Sequence, residues 1–273
     1  MPACHACGGQ MLSNRVWLFG CARCGLLHSA FTPGPGAGIE GLQQLRRQNF
    51  ELLLTRVEKI RPLAGLRLLE VGCGEGWFLE AAQRRGILAT GIEPEETSAH
   101  IGRANGLSVE RGLFPTDLRD RGPYDVIVFN DVFEHLPAPD VAIQYVNELL
   151  AKKGLAILNF PSSDGILFRI ATILDAAGLH SPLERLWQKG FPSPHIWYFN
   201  SKNLVMLIER HSNLRILESF PLPSVSRVGL YDRVRSSSSG AAAAILFGGV
   251  WLLSFVLPLL PADIEVAIFR KSG

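Results

Sequence analysis

Apolar positions along this chain follow two alternating periods. Short runs dense in Leu, Ile, Val and Phe occupy 66–71, 88–92, 108–110, 124–129, 155–160, 214–220 and 264–269, lengths suited to strands. Between them, helical spacing marks segments at 40–61 (Leu42, Leu45, Leu53, Val57, Ile60), 77–86, 141–150 and 201–212, with Ser201 as N-cap of the last and Lys153-Gly154 as the stop after the third. Strands alternating with helices predict an α/β fold, a seven-stranded sheet with helices on both faces.

One apolar stretch fits neither period. Ala241 through Leu260 carries no charge and is long enough to cross a bilayer. A crossing would put the strand at 264–269 on the wrong side of its own sheet, and Pro258 and Pro261 shorten any helix. A buried hydrophobic helix and a peripheral membrane contact through 241–260 both remain open. Arg227, Arg233 and Arg235, just upstream, suit anionic headgroups.

With 273 residues, the chain fits one α/β domain with appendages. A net charge of +2 does not call for nucleic acid as a partner. Met1-Pro2-Ala3-Cys4 lacks the basic and apolar regions of a signal peptide, so a cytoplasmic location is expected, with membrane association left open by 241–260. Four of the five cysteines form two pairs, Cys4-x2-Cys7 and Cys21-x2-Cys24, thirteen residues apart. Each short turn presents two thiolates to one ion, and four satisfy tetrahedral zinc. Residues 1–30 therefore read as a zinc ribbon with a structural zinc, Arg15–Phe19 as strand-like and His5 as a bystander; four unbound buried thiols are the alternative. The Pro/Gly-rich 31–39 reads as a linker.

The most specific chemistry lies at Leu68-Leu69-Glu70-Val71-Gly72-Cys73-Gly74-Glu75-Gly76-Trp77, a strand, an acid, a glycine-rich turn and a helix start. Such a turn brings backbone N–H groups close to a ligand. A dinucleotide fingerprint needs a small residue at the sixth position, where this chain has Trp77. Glu70 disfavours phosphate and suits a cationic, phosphate-free ligand such as S-adenosylmethionine. Glu93, at the end of the second strand, is placed to accept ribose hydroxyls.

Glu70, Gly72, Gly74 and Gly76 resemble the E/D-x-G-x-G-x-G motif of class I S-adenosylmethionine-dependent methyltransferases. The resemblance implies a Rossmann-like seven-stranded sheet over 40–273, interrupted by an apolar insertion at about 221–262. It further implies antiparallel pairing of the last two strands, a cofactor covered by the helix at 40–61, and Asn130 and Asp131 along its methionine portion. Where the family carries an acid after the third strand, this chain has Gly112-Leu113-Phe114, so Leu113 or Phe114 would stack on adenine.

Two histidines are candidates for activating an acceptor. His135 ends Asp131-x-x-Glu134-His135, similar to the E-x-x-E-H element of quinone-biosynthesis O-methyltransferases, where it is associated with a divalent metal; here the first acid is the shorter Asp. His195 sits in the aromatic, proline-stiffened loop 191–200, and both histidines also fit packed, hydrogen-bonded roles. The expectation is methyl transfer, O-methylation favoured, to a small-molecule, glycan or lipid-linked acceptor. The alternatives are a sugar C-methyltransferase and a zinc-ribbon nucleic-acid-binding protein with a degenerate cofactor domain.

Overall fold

The computed structural model describes residues 3–35, 42–119, 122–225, 248–249, 251, 254 and 256–273. Most of the apolar run 241–260 thus lies outside the described residues. After a ribbon of β1 (Met11–Ser13), β2 (Leu18–Cys21) and β3 (Leu27–Ser29), the chain enters α1 (Gln43–Ile60). It then alternates through β4 (Arg67–Val71), α2 (Trp77–Gln83), β5 (Leu88–Glu93), α3 (Glu96–Ala104) and β6 (Ser108–Arg111). The second half comprises β7 (Tyr124–Asn130), α4 (Pro139–Leu149), β8 (Leu150–Pro161), α5 (Ile166–Ala176), α6 (Ser181–Leu186), β9 (Trp197–Tyr198) and α7 (Ser201–His211), and closes with β10 (Leu214–Leu222) and β11 (Ile264–Lys271).

Seven strands form one sheet in the order β10-β11-β8-β7-β4-β5-β6. Five strands, β8, β7, β4, β5 and β6, run parallel, and β11 pairs antiparallel with both β8 and β10. The chain leaves β4 toward β5 and returns on β4's other side as β7, so order reverses between those two strands. A crevice opens at their carboxyl ends.

Strand pleating sorts the core into two layers. Leu68, Val126, Val128, Leu155, Ile157, Val266 and Ile268 face α1 and α2, while Leu69, Val71, Ile127, Phe129, Ala156, Leu158, Ala267 and Phe269 face α4 and α7. The ribbon cysteines belong to the second layer. A smaller cluster, Leu18, Phe168, Leu183, Trp187 and Tyr198, fills the space between the ribbon, α5 and α6.

Several local expectations are corrected. Residues 14–17 are a turn: the N–H groups of Asn14 and Arg15 both donate to the Leu18 carbonyl (2.8 and 3.0 Å), which folds β1 back on β2 and brings the two cysteine pairs together. Asn200, not Ser201, caps α7; its side chain accepts from Asn203 N–H while the Asn203 side chain accepts from Asn200 N–H, a reciprocal box. The α4 helix ends at Leu149, and β8 begins at Leu150, ahead of the expected stop. An irregularity in the β7–β8 register there accommodates Lys153 at φ +61°.

Gly91 in β5 shows how tightly the glycine turn lies on the sheet. A Cβ there would meet Cys73 Sγ at 2.4 Å and Leu79 Cδ1 at 2.8 Å. Gly91→Ala is expected to cost about 1–3 kcal/mol by overpacking, read as a lower midpoint in urea unfolding with an unchanged m-value.

Candidate active site

The turn between β4 and α2 needs its glycines for conformation. Gly72, Gly74 and Gly76 have φ of +69°, +53° and +86°, a region that side chains rarely adopt. A Cβ on Gly72 would meet Val132 at 2.6 Å, whereas one on Gly74 would meet nothing within 4 Å. Gly74 therefore turns its bare face to open space. That space is a cavity of about 230 Å³, with Arg46 and Phe50 from α1, the turn itself, Ser98 from α3 and the Asn130-Asp131 end of β7 among its walls.

Glu70 and Asn130 stand on the same face of neighbouring strands, a consequence of the two-residue pleat. Asn130 Nδ2 donates to Glu70 Oε1 at 2.8 Å. Their other oxygens, Glu70 Oε2 and Asn130 Oδ1, are buried without a hydrogen-bond partner. Two unpartnered acceptors on a cavity wall are what a cationic ligand group requires. Burial pushes the Glu70 carboxyl up to about 8, with the Asn130 hydrogen bond opposing and the nearby Glu93 charge adding to the rise. Glu93 ties β5 to the turn: Oε2 accepts from Gly74 N–H at 2.8 Å and Oε1 from Glu95 N–H at 2.9 Å.

Asp131 takes φ +54° and faces Arg46, Nε to Oδ2 3.6 Å. Arg46 was not anticipated. Arg46 and Arg47 are adjacent on a helix, and which one faces inward depends on how α1 docks; Arg47 instead pairs with Glu80. Leu113 and Phe114 lie outside the walls of the cavity. Leu113 is 59% exposed, and Phe114 packs edge-on against Phe129 at 5.7 Å. Gly76 caps α2, with Leu107 against it.

The two candidate histidines meet. Their rings are 4.8 Å apart. His135 Nδ1 lies 2.9 Å from the Pro194 carbonyl and 3.2 Å from Ser193 Oγ. His195 is buried, its Nε2 3.9 Å from Glu134 Oε1 and its Nδ1 unpartnered. Burial, aided by the neighbouring His135, pushes the His195 imidazole down to about 3. Glu134 is fully enclosed with both oxygens unpartnered, and burial together with the Asp131 charge raises it well above the usual carboxylate range. Glu134, His135 and His195 each place one ligand atom within 4.8 Å of the others, so His195 joins the acid–histidine pair that the sequence grouped with Asp131.

The four ribbon cysteines converge as well. Cys4 and Cys24 Sγ are 3.5 Å apart and Cys7 and Cys21 Sγ 3.4 Å, all reduced. A tetrahedral zinc with four sulfurs sets its S···S edges at roughly 3.8 Å, so the donor set fits. Gly9 N–H points at Cys7 Sγ. His5 lies outside this cluster, pairing with Asp140 at 2.8 Å.

Glu70 makes the stability of the ligand-free protein depend on pH. Its folded value near 8 lies above the ordinary 4.5, so the folded chain holds a proton that the unfolded chain releases. Stability is therefore lost as pH rises from about 4.5 toward 8, at up to roughly 1.4 kcal/mol per pH unit. Glu70→Gln should remove that component of the slope; denaturation midpoints of both proteins from pH 5 to 8 measure it, and parallel curves would contradict the assignment.

A family model described as a methyltransferase domain matches residues 43–219. A ubiquinone biosynthesis O-methyltransferase of Rhizobium leguminosarum is 38% identical over 82 residues, 28% of this chain and 32% of that protein. The chain thus spans about a third of that relative's length. Among solved structures, magnesium protoporphyrin IX methyltransferase from Synechocystis PCC 6803 with bound SAH superposes with TM-score 0.54 at 13% identity, covering 88% of this chain and 90% of that one. The [4+2]-cyclase SpnF superposes with TM-score 0.53 at 18% identity over 89% and 86%, so the shared fold does not by itself specify the reaction. With the family model covering well over half of its length, this chain belongs to the methyltransferase-domain family.

Proposed function

We propose that this protein transfers the methyl group of S-adenosylmethionine to an oxygen of a small-molecule, glycan or lipid-linked acceptor. The observation that carries the reading is the pair of buried, unpartnered oxygens, Glu70 Oε2 and Asn130 Oδ1, beside the glycine turn. They suit the ammonium of the methionine portion, while Arg46 on the facing wall suits its carboxylate. Glu93 at the tip of β5 is the ribose ligand in this reading. The cofactor, when bound, supplies an activated methyl on a sulfonium.

The chain's own work is positioning and proton handling. His195 is neutral over the working range, because burial disfavours its charged form. Its free Nδ1 can take the acceptor's hydroxyl proton while the oxygen forms its bond to the methyl carbon. The C–S bond breaks in the same displacement, its electron pair staying on sulfur. Glu134 lies 3.9 Å from Nε2, and burial holds it toward its neutral form, so it borders the ring without supplying a counter-charge.

A second reading places a divalent cation among Glu134, His135 and His195, favoured by the three converging ligand atoms and the unpartnered Glu134 oxygens. It would polarise the acceptor oxygen. A structural zinc at Cys4, Cys7, Cys21 and Cys24 belongs to either reading.

Relatives named ubiquinone biosynthesis O-methyltransferase support oxygen as the acceptor atom. Exposed apolar side chains support a lipid-linked acceptor and peripheral membrane contact: Ile170 and Ile173 on α5, and Val256 and Leu259 at the end of the apolar run. The α5 N-terminus is tied to the segment after that run, with Ile166 N–H on the Pro261 carbonyl and Leu167 N–H on Asp263. Among the described residues, no helix is long and apolar enough to cross a membrane.

Calorimetry separates this proposal from a nucleotide-binding alternative. S-adenosylmethionine and S-adenosylhomocysteine should bind and NAD should not; tight NAD binding would sink the reading. His195→Ala should lower turnover on the true acceptor by about 10²–10⁴ and leave S-adenosylhomocysteine affinity nearly unchanged. The cation reading instead expects chelator-sensitive turnover restored by Mg²⁺ or Mn²⁺.

A further inference from the structure

The ribbon is not a separate appendage. Its small sheet runs β1-β2-β3-β9, and the fourth strand, Trp197–Tyr198, comes from the loop that carries His195. Leu27 pairs with Tyr198 and His28 with Trp197. One residue then holds two consecutive carbonyls of that loop: Ser29 Oγ donates to the His195 carbonyl at 2.6 Å, and Ser29 N–H to the Ile196 carbonyl at 2.8 Å. Ser29 is buried and has no role in the cofactor cavity.

From the opposite side the same segment is held by the turn that follows β7. Ile196 N–H donates to the Glu134 carbonyl at 2.9 Å, Trp197 Nε1 to the Leu136 carbonyl at 2.9 Å, and His135 Nδ1 sits at the Pro194 carbonyl. His195 is therefore held from three sides: by the turn after β7, by the ribbon, and by the Trp187 carbonyl at the end of α6, which accepts from its N–H at 3.1 Å. Of these three holds, only the one through Ser29 and β3 comes from the ribbon.

We propose that the four-cysteine ribbon is a positioning element of the acceptor side of the site, acting through Ser29 and β3 on the backbone of His195 and Ile196. The inference rests on the reading of His195 as the residue facing the acceptor. Its physical basis is a chain of dependence. A two-residue strand does not persist without its neighbour, and β3 is only three residues long. Beyond its four cysteines the ribbon's buried apolar side chains, among the described residues, are Ala6, Met11, Leu18 and Leu26, so metal binding supplies much of its folding free energy. The fold of β3, and with it the placement of His195, follows the metal. The cofactor cavity is built on β4 and the turn after it, the end of β7, and α1, α2 and α3, and has no ribbon residue in its walls.

Hydrogen exchange on the full chain, zinc-loaded and zinc-stripped, tests this. Stripping should speed exchange in 27–30 and 191–199 by about tenfold or more, with 67–93 changing less than about twofold and S-adenosylhomocysteine affinity less than about threefold. Ser29→Ala, zinc retained, should speed exchange in 194–198 by about fivefold and shift the imaging-free reporter of the ring itself, the His195 ¹⁵N-imidazole signal. Unchanged protection of 191–199 on stripping would overturn the proposal, as would a loss shared equally with 67–93, which would make the ribbon a general stabiliser. So would a His195 signal in Ser29→Ala that superimposes on the wild type. Failure of the zinc-loaded protein to bind S-adenosylhomocysteine would instead defeat the proposed function, leaving the exchange result to stand on its own.

Discussion

The hydrogen bond from Asn130 to Glu70 joins the two strand tips where the order of the sheet reverses. A carboxyl buried at 2% exposure is tolerable only with partners, and Glu70 has one inside the protein and one oxygen left over. That leftover oxygen, with its counterpart on Asn130, leaves two unpartnered oxygens at the cavity wall. The glycine turn then needs no side chains of its own. It has to stay low over β5, and Gly91 makes that approach sterically possible.

The same crevice separates two kinds of environment. On the β4–β5 side, backbone N–H groups and short hydrogen bonds hold Glu93 and the turn in one arrangement. On the β7 side, Glu134, His135 and His195 form a buried polar group whose hydrogen-bonding capacity is only partly used. Around Glu93 the polar groups are satisfied, whereas Glu70, Asn130 and the Glu134 group keep oxygens unpartnered at or near the crevice. Burial drives the carboxyl of Glu134 and the imidazole of His195 toward their neutral forms.

Much of this was legible from residue order alone. Apolar runs of strand length placed Glu70 near the end of β4 and Asn130 at the end of β7, and the glycine spacing with Trp77 argued against a dinucleotide, because these are local properties of a strand and the turn after it. The cysteine pairs were legible for the same reason, since ligand spacing is a local constraint. Arg46 was not, because helical periodicity gives a face without saying what the face meets. The cap at Asn200 was missed in favour of Ser201, since both are capping residue types and only the reciprocal bond to Asn203 distinguishes them.

Sequence by itself therefore determined the seven strands of the large sheet, the helices that became α1, α2, α4 and α7, the methyltransferase-type glycine turn and the two short cysteine turns, all set by interactions within a few residues; α3, α5 and α6 came only with the structure. The tertiary structure alone decided that His195 meets Glu134 across sixty-one positions, and that a ribbon strand at 27–29 pairs with a loop at 197–198. Such contacts arise from how the layers pack. A loop of aromatic residues can fold against several surfaces, and here the surface is chosen by the space between the ribbon, α5 and α6, which Trp187 and Tyr198 fill.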